Sequence, residues 1–180
     1  MLNVGGNSQV LRTDVRNSSR CIWDSTEEVD KIWSRIKDFI PEVWRHRKVL
    51  GLNERLRILR YDPGEYFKQH LDGQYRRENG ERSYITIQIY LNEGFKGGST
   101  TFLGYKGERK EVVPKTGSIL VFEHAIMHEG SELKSGRKYA IRTDVMYSSE
   151  LNNPESGLKD KDKELQDQLS EMHLDVKGKS

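Results

Sequence analysis

Eight residues in the middle of the chain, Tyr84-Ile85-Thr86-Ile87-Gln88-Ile89-Tyr90-Leu91, constrain the fold more than any other stretch because they alternate strictly. Successive side chains of a strand point to opposite faces, so Ile85, Ile87 and Ile89 share one face while Tyr84, Thr86, Gln88 and Tyr90 share the other. The isoleucine face belongs against a core. Tyrosines, a threonine and a glutamine on the reverse suit a polar ligand pocket inside a barrel.

Other short strands surround this one. Arg55 to Tyr61 alternates basic and apolar residues as far as Leu59, and Asp62-Pro63-Gly64 breaks the run with turn chemistry before Tyr66 to His70. Gly97-Gly98 turns into Ser99 to Leu103, Val112 to Gly117 leads into the apolar Ser118 to Phe122, and Lys138 to Tyr147 is a further long strand. Seven short strands without intervening helices predict a sandwich or barrel. Ahead of them, Ser25-Thr26-Glu27-Glu28 reads as a capping box, and Val29, Ile32, Trp33, Ile36 and Ile40 recur at helical spacing until Pro41. A helix over about 25–40, packed outside one sheet, is expected. Between Leu11 and Asp24 the pattern supports only an irregular or short strand.

Length and composition set the boundaries. The 180 residues, 34% hydrophobic and 32% charged, fit one domain, expected over 1–149 with its strand core over about 55–148. From Glu150 onward aromatics vanish, so 150–180 reads as a polar tail, with a short helix over about 163–174 through Leu165, Leu169 and Met172. A formal charge of +2 offers no electrostatic footprint for nucleic acid. The single Cys21 excludes an internal disulfide, no apolar run approaches membrane-spanning length, and the N-terminus lacks a signal-peptide pattern. A cytoplasmic or nuclear protein with no membrane partner is expected.

The chemistry begins at His70 and Asp72. Two residues apart on a strand, they face the same way and can grip one ion while Leu71 packs away. His128 returns much later in the chain. Two neutral imidazoles and one carboxylate occupy one face of an octahedron and leave the opposite positions open, the arrangement of non-haem Fe(II) oxygenases. His124 competes for the second imidazole position.

Taken in order, Arg60-Tyr61-x-x-Gly64-x-x-Phe67-x-x-His70-x-Asp72, Tyr90-Leu91-Asn92, Gly97-Gly98-x-Thr100, Gly117-x-x-x-x-Phe122, His128-Glu129-Gly130 and Gly136-x-Lys138-Tyr139 form a series. Together they resemble the prolyl-hydroxylase branch of the Fe(II)/2-oxoglutarate dioxygenases, from about Leu56 to Tyr147. The resemblance implies a mainly β fold with flanking helices, the double-stranded β-helix or jelly roll. It favours His128 over His124 as the distal ligand, leaving His124 as a loop histidine at a strand end. It implies that Lys138, ten residues after His128, catches the far carboxylate of 2-oxoglutarate, and that Tyr61 and Tyr90 place hydroxyls near the same co-substrate. Arg142 shares the face of Lys138 by strand parity and replaces a smaller residue of that branch. It is assigned to the co-substrate pocket, where it approaches the 1-carboxylate, Asp72 or a substrate anion. Thr86 and Gln88 are expected to line the pocket. Arg57, on the strand face of Tyr61, is read as a solvated strand residue in preference to a pocket-mouth one.

Membership implies Fe(II), 2-oxoglutarate and O2, with an ascorbate requirement left open. Oxidative cleavage of 2-oxoglutarate to succinate and CO2 accompanies hydroxylation of a substrate C–H bond. The leading substrate is a prolyl or other residue in a protein or peptide, with the charged loops Gly73 to Arg82 and Gly104 to Glu111 suited to lids. A free amino acid or small metabolite is the second reading, and a non-catalytic jelly-roll binding module the third. A nucleic-acid demethylase is disfavoured, because the pair of distal arginines of that branch is not matched. The sequence leaves oligomeric state open.

Overall fold

Two antiparallel sheets face each other in the computed structural model, which describes residues 15–151 and the backbone of Leu2–Asn3 and Gln9–Val10. The tail helix expected over 163–174 lies outside the described residues. The elements begin with β1 (Leu2–Asn3), β2 (Gln9–Val10), β3 (Ser19–Asp24), α1 (Thr26–Ile36), a 3-10 turn (Lys37–Phe39), β4 (Val43–Trp44) and β5 (Arg47–Leu52). There follow β6 (Arg55–Tyr61), β7 (Phe67–His70), β8 (Arg82–Tyr90), β9 (Lys96–Gly97), β10 (Thr100–Leu103) and β11 (Arg109–Val112). The described elements close with β12 (Ile119–Glu123), β13 (His128–Gly130), β14 (Leu133–Ser135) and β15 (Lys138–Tyr147).

The larger sheet is built on β15. One edge of that strand pairs with β8, which in turn pairs with β12. The other edge is shared: Lys138 to Arg142 pair with β6, whereas Val145 to Tyr147 pair with β5. Where the two partners meet, the wholly buried Asn53 is sewn into β15, because its carbonyl accepts from Thr143 Oγ1 at 2.7 Å and its N–H donates to the Asp144 carbonyl at 2.8 Å. Ahead of Arg55, β3 lies against β6 along its whole length and β4 flanks β5. The region read as an irregular or short strand therefore contains a regular six-residue one. The smaller sheet runs β11-β10-β13-β7. This is the jelly roll, with one helix on its back.

The helix forms where the pattern places it. Ser25 Oγ accepts from the Glu28 N–H at 3.3 Å, satisfying one of the orphan donors of the first turn. The α-helix ends at Ile36 and tightens into the 3-10 turn, so that Ile36 and Ile40 pack with Ile85, Ile87, Val145 and Tyr147. The apolar stripe is core. The segment Gly104 to Glu111 is partly hairpin, since β10 and β11 pair through Leu103 and Arg109 and the turn is tied by Gly104 N–H to Glu108 O at 2.8 Å.

The alternation in β8 holds from Ile85 to Tyr90 and fails before it. Val145 pairs with Ile85 but Met146 pairs with Ser83, so one extra residue, Tyr84, is bulged out of the ladder. The bulge reverses the phase. Ser83 and Thr86, three apart, both reach His124 on the cavity side, while Tyr84 packs against the helix-side cluster beside Tyr147, ring centroids 5.8 Å apart. The expectation that Tyr84 faces the pocket is corrected by this single insertion.

Ile87 and its cross-strand neighbour Val121 share the outer face, but the helix covers only Ile87, at 0% exposure against 38%. Ile87→Ala is expected to destabilise by about 2 to 5 kcal/mol and Val121→Ala by less than about 1 kcal/mol. Denaturant titration with unchanged slope checks both.

Candidate active site

His70 and His128 form one rung of the smaller sheet, with ring centroids 4.3 Å apart. Each ring is oriented by the same device: His70 Nδ1 lies 2.6 Å from the Lys68 carbonyl and His128 Nδ1 lies 2.9 Å from the Ile126 carbonyl. A carbonyl can only accept, so both Nδ1 atoms carry the proton and both Nε2 lone pairs are free. They aim at Asp72, whose Oδ1 is 3.6 Å from His70 Nε2 and whose Oδ2 is 3.8 Å from His128 Nε2. One donor atom from each of the three falls within 4.8 Å of the others, so the set can hold a single ion. Burial pushes the His128 pKa down against the opposing pull of Asp72, which keeps the ring in its neutral, ligating form.

Asp72 is nearly inaccessible and heavily supported. Thr86 Oγ1 donates to Oδ2 at 2.5 Å and Arg142 Nη1 meets Oδ1 at 3.0 Å. Burial alone raises a carboxyl pKa; here Arg142, with the Thr86 hydroxyl, outweighs it and holds Asp72 well below the usual carboxylate range. Behind Thr86 the chain of donors continues. His124 Nδ1 is 2.9 Å from Thr86 Oγ1, and His124 Nε2 is 2.8 Å from Ser83 Oγ. Because Thr86 spends its proton on Asp72, it accepts from His124 Nδ1–H, and Nε2 accepts from Ser83. Arg142 Nη2 and Arg57 Nη1 converge on the buried Asp144 at 3.2 and 3.0 Å.

His70, Asp72, His128, Arg57 and Arg142 line a cavity of about 550 Å³, the open solvent at its mouth included. Lys138 stands in it, 2% exposed, its Nζ donating to the Gly98 carbonyl at 2.6 Å. Gly98 has φ +66, and a Cβ there would meet Leu133 Cδ1 at 2.9 Å, so a bare backbone is needed for the carbonyl to reach the ammonium. The Tyr61 and Tyr90 rings lie 5.2 and 5.4 Å from Nζ. Thr100 Oγ1 accepts from Gln88 Nε2 at 2.9 Å and from Tyr90 Oη at 2.8 Å.

Residues 56–143 match the 2OG-Fe(II) oxygenase superfamily. A protein of Acanthamoeba polyphaga mimivirus, named as a candidate prolyl 4-hydroxylase, is 30% identical over 155 residues, covering 73% of this chain. Both findings support a place in the 2OG-Fe(II) oxygenase superfamily. It spans 60% of the length of that mimivirus relative. In fold, the chain is similar to a Pseudomonas putida prolyl-4-hydroxylase (TM-score 0.56, 18% identity, 73% of this chain and 72% of that one). It is also similar to the viral collagen prolyl hydroxylase of Paramecium Bursaria Chlorella virus-1, solved with 2OG (0.56, 23%, 74% and 81%). A third likeness is a Trichoplax adhaerens prolyl hydroxylase solved with a hypoxia inducible factor peptide fragment (0.60, 17%, 76% and 66%).

The fold brings His70, Asp72, His128, Lys138, Tyr61, Gln88 and Arg142 to the cavity wall. Tyr90 and Thr86 stand one layer behind, touching Thr100 and Asp72. One reading is extended and one corrected. His124 does stand in the turn just after β12, as expected, but it is buried at 6% exposure and braces Thr86 and, through its carbonyl, the Asp72 N–H at 3.0 Å. Arg57 is not solvated but lines the cavity, because Asp144, its partner, sits on the inner face of β15. Thr100, Arg16 and Arg20 are cavity residues that the sequence reading does not name. Thr100 falls inside the Gly97-Gly98-x-Thr100 motif, where its position was visible but its role was not.

Thr86→Val keeps the shape and removes the hydroxyl between His124 and Asp72. Metal affinity of the candidate site is expected to fall about 10-fold or more, in the range found for groups that orient ligands. Titration with Fe(II) or Mn(II) under anaerobic conditions measures it.

Proposed function

We propose that the chain is an Fe(II)- and 2-oxoglutarate-dependent dioxygenase that hydroxylates a C–H bond of a prolyl or other residue in a protein or peptide, releasing succinate and CO2. One observation carries this reading: two tautomerically fixed imidazoles and a carboxylate share a cavity with a buried lysine that has no acidic partner among the described residues. A ferrous ion bound there supplies the activation of dioxygen, coupled to oxidative decarboxylation of 2-oxoglutarate.

The chain's own residues perform the rest. His70, Asp72 and His128 are assigned as metal ligands on one side of the ion, leaving its other positions to co-substrate and O2. Lys138 is assigned to the far carboxylate of 2-oxoglutarate: an ammonium 2% exposed and bonded to one carbonyl has two N–H donors left for an anion. Thr100 joins it, since an oxygen that already accepts twice directs its own proton elsewhere. Tyr61 and Tyr90 flank the ammonium with their ring faces and exclude water. Arg142 is assigned to keeping Asp72 anionic and oriented. The peptide substrate is supported by the mimivirus relative's name and by the peptide carried by the Trichoplax neighbour.

His70→Ala or His128→Ala is expected to abolish both iron retention and Fe(II)-dependent succinate formation, read by metal analysis and by coupled assay. Lys138→Met is expected to raise the KM for 2-oxoglutarate about 30-fold or more, the usual consequence of removing one partner of a buried charge pair.

A pH signature accompanies the lysine. Burial lowers the Lys138 pKa to about 8, so the ammonium opposes folding below that pH and the opposition fades as pH climbs toward the unfolded value of 10.5. A docked dicarboxylate favours the ammonium and raises the pKa again. Binding of 2-oxoglutarate at about pH 9 is therefore expected to take up a proton, and affinity to decline above pH 8. Calorimetry in buffers of different ionisation enthalpy reads the uptake, which Lys138→Met eliminates.

A further inference from the structure

The cavity holds more positive charge than the proposed reaction uses. Its wall carries Arg16, Arg20, Arg57, Lys138 and Arg142, against the carboxylates of Asp72 and Glu129. Asp144 behind the wall takes up Arg57 and part of Arg142. Glu129 is already engaged by Arg109 and Ser131. A ferrous ion and a 2-oxoglutarate dianion cancel each other, so loading the site leaves Arg16 without a paired carboxylate among the described residues.

Arg16 concentrates that excess. The stretch from Val15 to Asn17 runs antiparallel beside β7, held by Lys68 N–H to Val15 O at 2.9 Å and by a bridge between Arg16 and Phe67. Its guanidinium lies 5.3 Å from the Phe67 ring, and Phe67 stacks on His70 with centroids 3.6 Å apart, so the cation sits one ring away from a proposed iron ligand. The residue is 8% exposed, Nε donates to Ser18 Oγ at 2.8 Å, and the buried Nη2 has no hydrogen-bond partner. Among the described residues no carboxylate pairs with it. Burial, with the nearby Arg142 and Arg57, presses its pKa down against the weaker opposing pull of Tyr61 and Glu65. Arg20 faces the same space from β3, across from Leu59.

We propose that Arg16, assisted by Arg20, binds an anionic group of the substrate, a carboxylate or a phosphate, adjacent to the C–H bond that is hydroxylated. The inference rests on the oxygenase reading and adds its substrate class. Arg in this role presents a fork that fits either oxyanion in bidentate fashion.

The test is a set of peptides of equal length, each with one proline flanked by Asp, phosphoserine, Asn or Lys, together with free proline. Each is assayed for Fe(II)-dependent succinate formation and, separately, for binding by calorimetry to the protein loaded with Mn(II) and 2-oxoglutarate. The expected result is a preference of about 10-fold or more for an anionic member over the Asn peptide, with the Lys peptide weakest. The Asp, phosphoserine and free-proline arms tell a peptide carboxylate, a phosphate and a free acid apart. Arg16→Gln is expected to erase the preference, and Arg16→Glu to transfer it to the Lys peptide, a gain that misfolding cannot produce. Failure of every anionic member to outbind the Asn peptide, or a preference that survives Arg16→Gln, overturns the proposal while leaving the oxygenase reading intact. Absence of succinate with every member counts against the oxygenase reading, and calorimetry still decides the charge preference.

Discussion

Asp72 is the point on which the rest of this structure turns. A carboxylate almost out of contact with water costs several kcal/mol unless its charge is met. Here Arg142 and Thr86 meet it directly, while the two imidazoles turn free Nε2 atoms toward it. Each of those four groups comes from a different stretch of chain, β15, β8, β7 and β13, so both sheets must be correctly registered before they gather around the carboxylate. The anion that is proposed to bind iron is also the anion that ties the two sheets together. This is why the neighbouring acid Asp144 is present: Arg142 and Arg57 need a counter-charge when Asp72 turns toward a metal.

The strands divide their labour by face. On β15, Lys138, Arg142 and Asp144 turn inward to the cavity, while Val145 and Tyr147 join the cluster under the helix. On β8, Thr86, Gln88 and Tyr90 look inward and Ile85 and Ile87 outward. Apolar burial is thus stacked on the back of the larger sheet, leaving its front free for polar groups that could not stabilise a core on their own.

Much of this was legible in the sequence because period two survives folding wherever a strand is regular. The isoleucines of β8, the capping box at Ser25 and the parity of Lys138 with Arg142 all follow from local rules. What escaped were effects of distance and of phase. Tyr84 defies its parity because a bulge, set by register with Met146, inserts one residue. His124 is the turn residue expected, but its bracing role was hidden because its two partners, Ser83 and Thr86, stand three apart, a spacing no strand pattern anticipates. Arg57 read as solvated since its acid lies on another strand. Arg16 and Arg20 sit in a stretch whose composition carries no alternation, and only the pairing of β3 with β6 and of Val15–Asn17 with β7 brings them to the cavity.

The shared edge of β15 gives the larger sheet a seam at Asn53. Above it β6 lays Arg57, Leu59 and Tyr61 along the cavity; below it β5 closes the helix-side core. Because one buried turn stitches both halves to Thr143 and Asp144, neither half can slide by a residue without unpicking the other. Such a joint locks the spacing between the lysine at one end of the strand and the hydrophobic anchor at the other. Sequence drift on the outer surface is thereby kept from reaching the chemistry.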